Sequence, residues 1–306
     1  MKNPIVRLLV AIPLTGLLLA GAVAAAWFAV GSPQPASATT WFSVHRVGAS
    51  ASYAENPGAP FYVLVLGNDS FPGNPDRPEP GLGDAIHVVG VNPTTGDASI
   101  IDVPRDTEAP GGGKINAFNA TGGLPATVGQ LERMMGIDIA YAITTGFPGF
   151  IDMVDEIGGI DIEVTEPMVD RDSGTDFQPG TYRMTGESLL AYARDRKSYP
   201  AEGDRQRSFN QGKAIIAALA TLRAQNPGAA GTAKLIATLA RHTKTEGMDL
   251  GELYDLGRLA LTLDPARVKN VLLPTGASGN GTNLAVAASA QDLFADFRDD
   301  AILQNH

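Results

Sequence analysis

Hydrophobic positions along this chain fall into three regimes. The first is one unbroken run, Leu8 to Val30, without a charged side chain. The second begins near Phe61 and consists of short β-branched blocks parted by turns. Phe61–Leu66, Ala85–Val91 and Ala98–Val103 read as strands, the last two joined through the Pro93-Thr-Thr-Gly96 turn as a hairpin. Ile139–Thr144 and Ile160–Val164 read as further strands, the latter after a Gly158-Gly159 stop, with helices over Thr127–Met135 and Phe150–Ile157. In the third regime helical spacing dominates. Thr185 caps a helix through Ala193, and further helices cover Gln206–Leu222, Ala233–His242, Leu250–Leu263 and Ala287–Leu303, with one strand at Val268–Leu273. Interleaved strands and helices with a hairpin predict an α/β fold with a mixed central β-sheet flanked by helices.

The run from Leu8 to Val30 is long enough, at about 34 Å of helix, to cross a bilayer core. Lys2 and Arg7 precede it, and no Lys or Arg follows before Arg46. That asymmetry predicts a single-pass cell-membrane protein, cytoplasmic at residues 1–7, anchored by 8–30 and extracytoplasmic beyond. A cleaved signal peptide is the competing reading, because Ala36-Ser37-Ala38 has the small-x-small pattern; the length of the run favours a retained signal-anchor. Residues 31–56, rich in Pro, Ser and Ala at their start, read as a linker. A globular domain over 57–275 and a C-terminal helical extension over 276–306 follow.

Composition narrows the chemistry. With a formal net charge of -10, the chain lacks the basic surface that nucleic-acid binding needs. It has no cysteine and only four scattered histidines, so disulfides, thiolate chemistry and a His-rich metal site are not expected.

Against that acidic background the arginines stand out. Arg194 and Arg196 lie one residue apart, a short step before Asp204-x-x-Arg207, and Val-Pro-Arg105-Asp106-Thr107 lies far upstream. Guanidinium forks match phosphate oxygens in pairs and stay charged, so the set points to a pyrophosphate. Each element has a plainer reading: an Arg105–Asp106 surface pair, capping of a helix C-terminus by Arg194 and Arg196, and an intrahelical Asp204–Arg207 bridge. Asp69 ends one strand and Asp84 begins the next. Together they would hold Mg²⁺, a hard cation that works with substrate phosphates; apart, they are a turn cap and a solvated strand start. Ile215, Ile216, Leu219 and Leu222 form a helical stripe that is either core or the wall of a lipid-tail pocket.

In order and spacing the chain resembles the LytR-CpsA-Psr family from about Phe61 to Leu222. The elements are Val65-Leu-Gly-Asn-Asp69, Gly83-Asp84-Ala85-Ile86, Asp102-Val-Pro-Arg105-Asp-Thr107, Lys114-Ile-Asn116, Ala191-Tyr-Ala-Arg194-Asp-Arg196 and Gly203-Asp204-x-x-Arg207 with Asn210-Gln211. The resemblance implies a membrane-bound phosphotransferase that moves a glycopolymer from a polyprenyl-pyrophosphate carrier to peptidoglycan. It implies Mg²⁺ (with Mn²⁺ as a substitute) on Asp69 and Asp84. It also implies pyrophosphate on Arg105, Arg194, Arg196, Arg207, Gln211 and Lys114, with Asp204 in support, and Asp84 and Arg105 in the catalytic step. Two positions depart from the family pattern. Leu82 stands where an arginine commonly precedes the second metal aspartate, and Asn210 stands where an arginine commonly precedes the glutamine. Arg77 is a possible substitute for the first. These departures leave open hydrolysis without transfer, or lipid binding without catalysis.

Overall fold

The computed structural model describes residues 40–48, 53–71, 74–76, 78–225, 228–279 and 281–304. The expected anchor at 8–30, the start of the linker and Arg77 lie outside them. Among the described residues no helix is long and apolar enough to cross a membrane.

Seven strands form one mixed sheet: β1 (Phe42–Arg46), β2 (Phe61–Asn68), β3 (Gly83–Asn92), β4 (Asp97–Asp102), β5 (Ile139–Thr145), β10 (Thr243–Glu246) and β11 (Lys269–Leu272). Their order is β10-β1-β5-β2-β3-β4-β11. The hairpin partners β2, β3 and β4 run antiparallel, whereas β2–β5, β1–β10 and β4–β11 are parallel. Three small ribbons lie outside the sheet: β6 (Ile160–Val164) with β9 (Gly180–Met184), β7 (Met168–Asp170) with β8 (Thr175–Phe177), and β12 (Thr275–Ala277) with β13 (Leu284–Val286). The helices are α1 (Ala117–Met135), α2 (Phe147–Glu156), α3 (Gly186–Arg194), α4 (Gly203–Gln225), α5 (Ala229–Arg241), α6 (Leu250–Thr262) and α7 (Ala290–Asp300).

Period-two alternation assigns the two faces of the sheet. Leu64, Leu66, Ile86, Val88, Ile101 and Val103 point to one side, where Leu131 and Met135 of α1 and Phe294 and Phe297 of α7 complete a dry core. Val63, Val65, Ala85, Val89 and Ile100 take the other side, beneath α4. With both faces covered, these strands read as nearly continuous apolar blocks, which is why they were legible as strands.

Several expectations need correction. The linker 31–56 contains β1, which pairs with β5 on one side and β10 on the other. Its sequence, Phe-Ser-Val-His-Arg, buries only Val44 within the strand, so hydrophobic pattern gave little sign of it. Residues 276–306 are not an extension. Leu293, Phe294, Phe297 and Leu303 of that segment are buried in the main core, and α7 is shorter than the expected Ala287–Leu303. The expected helix over Thr127–Met135 is the second part of α1; helical backbone already begins at Ala117, across a kink at Gly123 (φ 66°) before Pro125. Similarly α4 begins at Gly203, before the expected Gln206, which brings Asp204 into its first turn. The helix α3 is capped by Thr185, whose side chain accepts from the Ser188 N–H.

Candidate active site

At one end of the helix-covered sheet face, a cavity of about 700 Å³ opens among β2, β3, α2, α3 and α4. Ile215, Ile216, Leu219 and Leu222 all line it; the apolar stripe of α4 therefore faces a hollow rather than closing against the strands. Charged side chains gather at its mouth.

Asp84, the second residue of β3, receives Arg105 Nη1 at 2.9 Å on both carboxylate oxygens. Pro104 ends the strand run before Arg105, so the side chain leaves the sheet at its edge. Arg105 Nε lies 3.6 Å from Asp204 and 3.8 Å from Asp106, and Lys114 Nζ is 3.0 Å from Asp106. Asp204 and Arg207, one turn apart at the start of α4, form an ion pair. Arg105, Asp84, Asp106, Lys114, Asp204 and Arg207 are thus one charge network.

Arg194 and Arg196 reach the same cavity from the end of α3. The helix stops at Asp195, whose backbone is extended (φ −64°, ψ 128°), so residues on either side of it point the same way. Asp195 itself is buried and points oppositely, accepting from the hydroxyls of Thr175 and Ser198. Sequence reading did not single out Asp195. Its only trace was the Arg-x-Arg alternation it sustains. Arg194 also lies over the Phe147 ring, 5.3 Å from its centroid. Gln211 ties α4 to α3 by donating to the Ala193 carbonyl at 2.8 Å and lines the cavity.

Burial decides the electrostatics. It pushes the Asp204 carboxyl up, with Arg207 opposing. It pulls Arg207 below the ordinary guanidinium value, again with Asp204 opposing. Arg105 goes the other way: burial acts against its charge, but Asp84, Asp204 and Asp106 outweigh that and raise its pKa. A phosphate anion would relieve the buried Arg207 charge, since guanidinium groups short of partners favour anions.

Asp69, just past the end of β2, lines the cavity beside Asp84. Its Oδ1 accepts from the Leu82 N–H at 2.7 Å, and its own N–H donates to the Leu82 carbonyl. Leu82 therefore clamps the loop by its backbone and brings no charge. Among the described residues no group of three or more His, Cys, Asp or Glu side chains is arranged to hold a metal. Two carboxylates at one mouth still fit a hard cation that takes its other ligands from phosphate and water.

The structure thus brings Asp69, Asp84, Arg105, Arg194, Arg196, Arg207 and Gln211 to one cavity, with Asp204 behind them. Lys114 does not line the cavity and joins only through Asp106. Sequence reading also missed His87, a buried histidine in the cavity wall paired with Asp102.

The fold is thus a mixed sheet flanked by helices, with an apolar cavity lined at its mouth by four arginines. The LytR_cpsA_psr family model matches residues 37–296, and the chain belongs to that family. It is 29% identical over 216 residues to the polyisoprenyl-teichoic acid–peptidoglycan teichoic acid transferase TagU of Bacillus cereus (strain AH820), covering 69% of this chain and 67% of that protein. It is 30% identical over 212 residues to the transferase of the same description, TagV, of Bacillus subtilis (strain 168), covering 64% of this chain and 53% of the relative. The chain therefore spans about half the length of TagV. In fold it is similar to the LytR-CPS2A-psr family protein YwtF (TagT) of Bacillus subtilis, solved with bound octaprenyl pyrophosphate lipid: TM-score 0.62 and 21% identity, over 80% of this chain and 92% of that one.

Proposed function

We propose that this protein is a cell-wall glycopolymer transferase. It moves a glycopolymer from a polyprenyl-pyrophosphate carrier to peptidoglycan on the outer side of the cell membrane. One observation carries this reading: guanidinium groups from three separate chain segments meet at the mouth of an apolar cavity. A ligand that suits both halves has a diphosphate head and a hydrocarbon tail. The named activities of the TagU and TagV relatives, and the lipid bound in the YwtF structure, support the same chemistry.

In this mechanism Arg105, Arg194, Arg196 and Arg207 bind the diphosphate in pairs of hydrogen bonds, with Gln211 and Lys114 in its vicinity. Asp204 orients Arg207. Mg²⁺ held by Asp69 and Asp84 would screen the diphosphate charge. An acceptor hydroxyl attacks the sugar-side phosphorus, and prenyl monophosphate leaves. Fixed positive groups stabilise the charge that develops on the leaving oxygen. Asp84 takes the hydroxyl proton. The run Leu8–Val30 anchors the domain beside its lipid donor.

Substituting Arg105→Ala or Arg196→Ala in a transfer assay with a lipid-linked donor tests the reading. Loss of one such group is expected to slow transfer roughly 10²–10³-fold. Unchanged transfer would remove the diphosphate site. A second reading, a polyprenyl-(pyro)phosphate-binding envelope protein that hydrolyses its ligand or only holds it, is favoured by one observation: position 82 contributes backbone hydrogen bonds and no cation. Prenyl phosphate that co-purifies with the protein, without metal-dependent transfer, would establish it instead.

A further inference from the structure

The four arginines at the mouth are not equivalent, and their partners separate them. Arg105 and Arg207 belong to a set of direct ion pairs in which Asp84, Asp106 and Asp204 contact Arg105, Lys114 and Arg207. Arg105 Nη1 is committed to both oxygens of Asp84. Arg194 and Arg196 both line the cavity, yet among the described residues their guanidinium groups make no ion pair and no hydrogen bond. Nearby carboxylates take other partners. Asp195 accepts from the hydroxyls of Thr175 and Ser198, Asp170 accepts from the backbone N–H groups of Asp172 and Lys197, and Asp172 pairs with Lys197. Arg194 is half-buried and Arg196 is exposed, so their donors are open to a ligand at the mouth.

The two halves also differ in where they lead. The Arg105 network runs away from the hollow, because Asp106, Lys114 and Asp204 do not line it. Arg194 leads into it. Its guanidinium lies 5.3 Å from the centroid of the Phe147 ring, within the reach of a cation–π contact. Phe147 in turn forms the apolar wall with Phe150 and Met153 of α2 and Leu189 and Leu190 of α3. Arg194 therefore sits where hydrocarbon wall meets charged rim. A prenyl pyrophosphate entering tail first puts its lipid-side phosphate at that boundary and its sugar-side phosphate further out. We propose that Arg194, with Arg196 beside it, holds the lipid-side phosphate and stabilises the charge this phosphate acquires as the leaving group, while Arg105 and its carboxylates serve the sugar-side phosphate. This deepens the reading of the mouth as a diphosphate site and rests on it.

Charge balance through the step agrees. In the intact donor each phosphate is a diester and carries a single negative charge. The acceptor oxygen bonds to the sugar-side phosphorus, and the bond from that phosphorus to the bridging oxygen breaks. Its electron pair stays on that oxygen, now terminal on prenyl monophosphate, and the hydroxyl proton goes to Asp84. The sugar-side phosphate is again a singly charged diester. The lipid-side phosphate becomes a monoester of about −1.5 to −2 near neutral pH. Of the two phosphates, only the lipid-side one gains charge. An interaction speeds the step only where it is stronger in the transition state than in the ground state. Donors already bound to a carboxylate, as on Arg105, have little to add. Open guanidinium donors form charge-assisted bonds that strengthen as the charge grows.

The test uses the full chain in detergent, without added metal, and three probes: geranylgeraniol, geranylgeranyl monophosphate and geranylgeranyl diphosphate. The shared tail fixes the first phosphate at the lipid-side position, so the second phosphate reports the sugar side. Arg194→Ala is expected to weaken monophosphate binding roughly tenfold or more. Geranylgeraniol binding should stay unchanged, which also reports that the variant is folded, and Arg194→Lys should restore part of the loss. The double variant Asp84→Asn/Arg105→Gln removes that pair without changing net charge. It should bind the monophosphate as the wild type does and lose affinity only for the diphosphate. In transfer from a lipid-linked donor, Arg194→Ala should lower kcat more than it raises KM. Monophosphate binding undiminished in Arg194→Ala, or weakened as much in the double variant, overturns the division of roles while the diphosphate mouth stands; so does an Arg194→Ala enzyme altered in KM alone. Wild-type protein that binds all three probes equally overturns the mouth and this proposal with it.

Discussion

Asp102 is a carboxyl with almost no access to water, and its proton is bound more tightly in the folded chain than in the unfolded one. Its pKa rises from 3.8 to about 6, burial being the first cause. A group raised in this sense contributes stability fully below its unfolded value, near pH 4, and loses it as the pH climbs through 6. Asp102→Asn cannot ionise and keeps an acceptor for His87. The fall in melting temperature between pH 4.5 and pH 7.5 should therefore be smaller in the variant; at this chain size each kcal/mol is worth about 2–4 °C. Parallel pH profiles for the two proteins would show that Asp102 does not carry the dependence. Residues of this kind were the hardest to read in advance. Asp84, Arg105 and the paired arginines announce themselves by charge in an acidic chain. His87 and Asp102 sit fifteen residues apart in blocks that read as ordinary strand, and only the register of β3 on β4 makes them partners.

The terminal helix α7 shows what an element contributes beyond its own stability. Its Phe297 ring packs on Tyr62 with centroids 5.0 Å apart, and Tyr62 donates to the Phe297 carbonyl. Gly90 on β3 leaves the room this needs: a Cβ there would collide with the Ala301 carbonyl and stand 2.6 Å from the Phe297 ring. Phe297→Ala should lower unfolding free energy by about 3–5 kcal/mol, measured by chemical denaturation of the protein. A loss under about 1 kcal/mol would mean that α7 is loosely attached after all. Elements with long apolar blocks, such as β2 and β3, were evident from sequence alone. The ribbons β7–β8 and β12–β13 were not, since three-residue strands carry too few positions to display a period. Neither was β1, because its stabilising contacts are hydrogen bonds to β5 and β10 rather than side-chain burial.

At the scale of the whole molecule, the chain is acidic overall yet places cations around a hydrophobic hollow. Those two features together make ligand and stability inseparable. A cavity that gains hydrocarbon gains dispersion contacts its walls otherwise lack, and a ligand bound only by the folded state stabilises it by about 2.7 kcal/mol at a hundredfold excess over Kd. Long-chain prenyl pyrophosphate should therefore raise the melting temperature well beyond what inorganic pyrophosphate achieves. Leu219→Trp, which fills the hollow from α4, should remove the difference between the two. Equal shifts in the wild-type protein would mean that the hollow has no role in binding the tail.

The placement of β1 has a practical outcome for anyone preparing a water-soluble form. Cutting the chain at Pro57, where the hydrophobic pattern first looks like a folded domain, would discard a strand from the interior of the sheet. It would bare the flank of β5 and leave β10, which among the described residues pairs only with β1, without a neighbour. Such a flank offers free N–H and C=O groups to other copies and invites aggregation. A cut made ahead of Trp41 retains the strand, together with the stacking of that indole on His242.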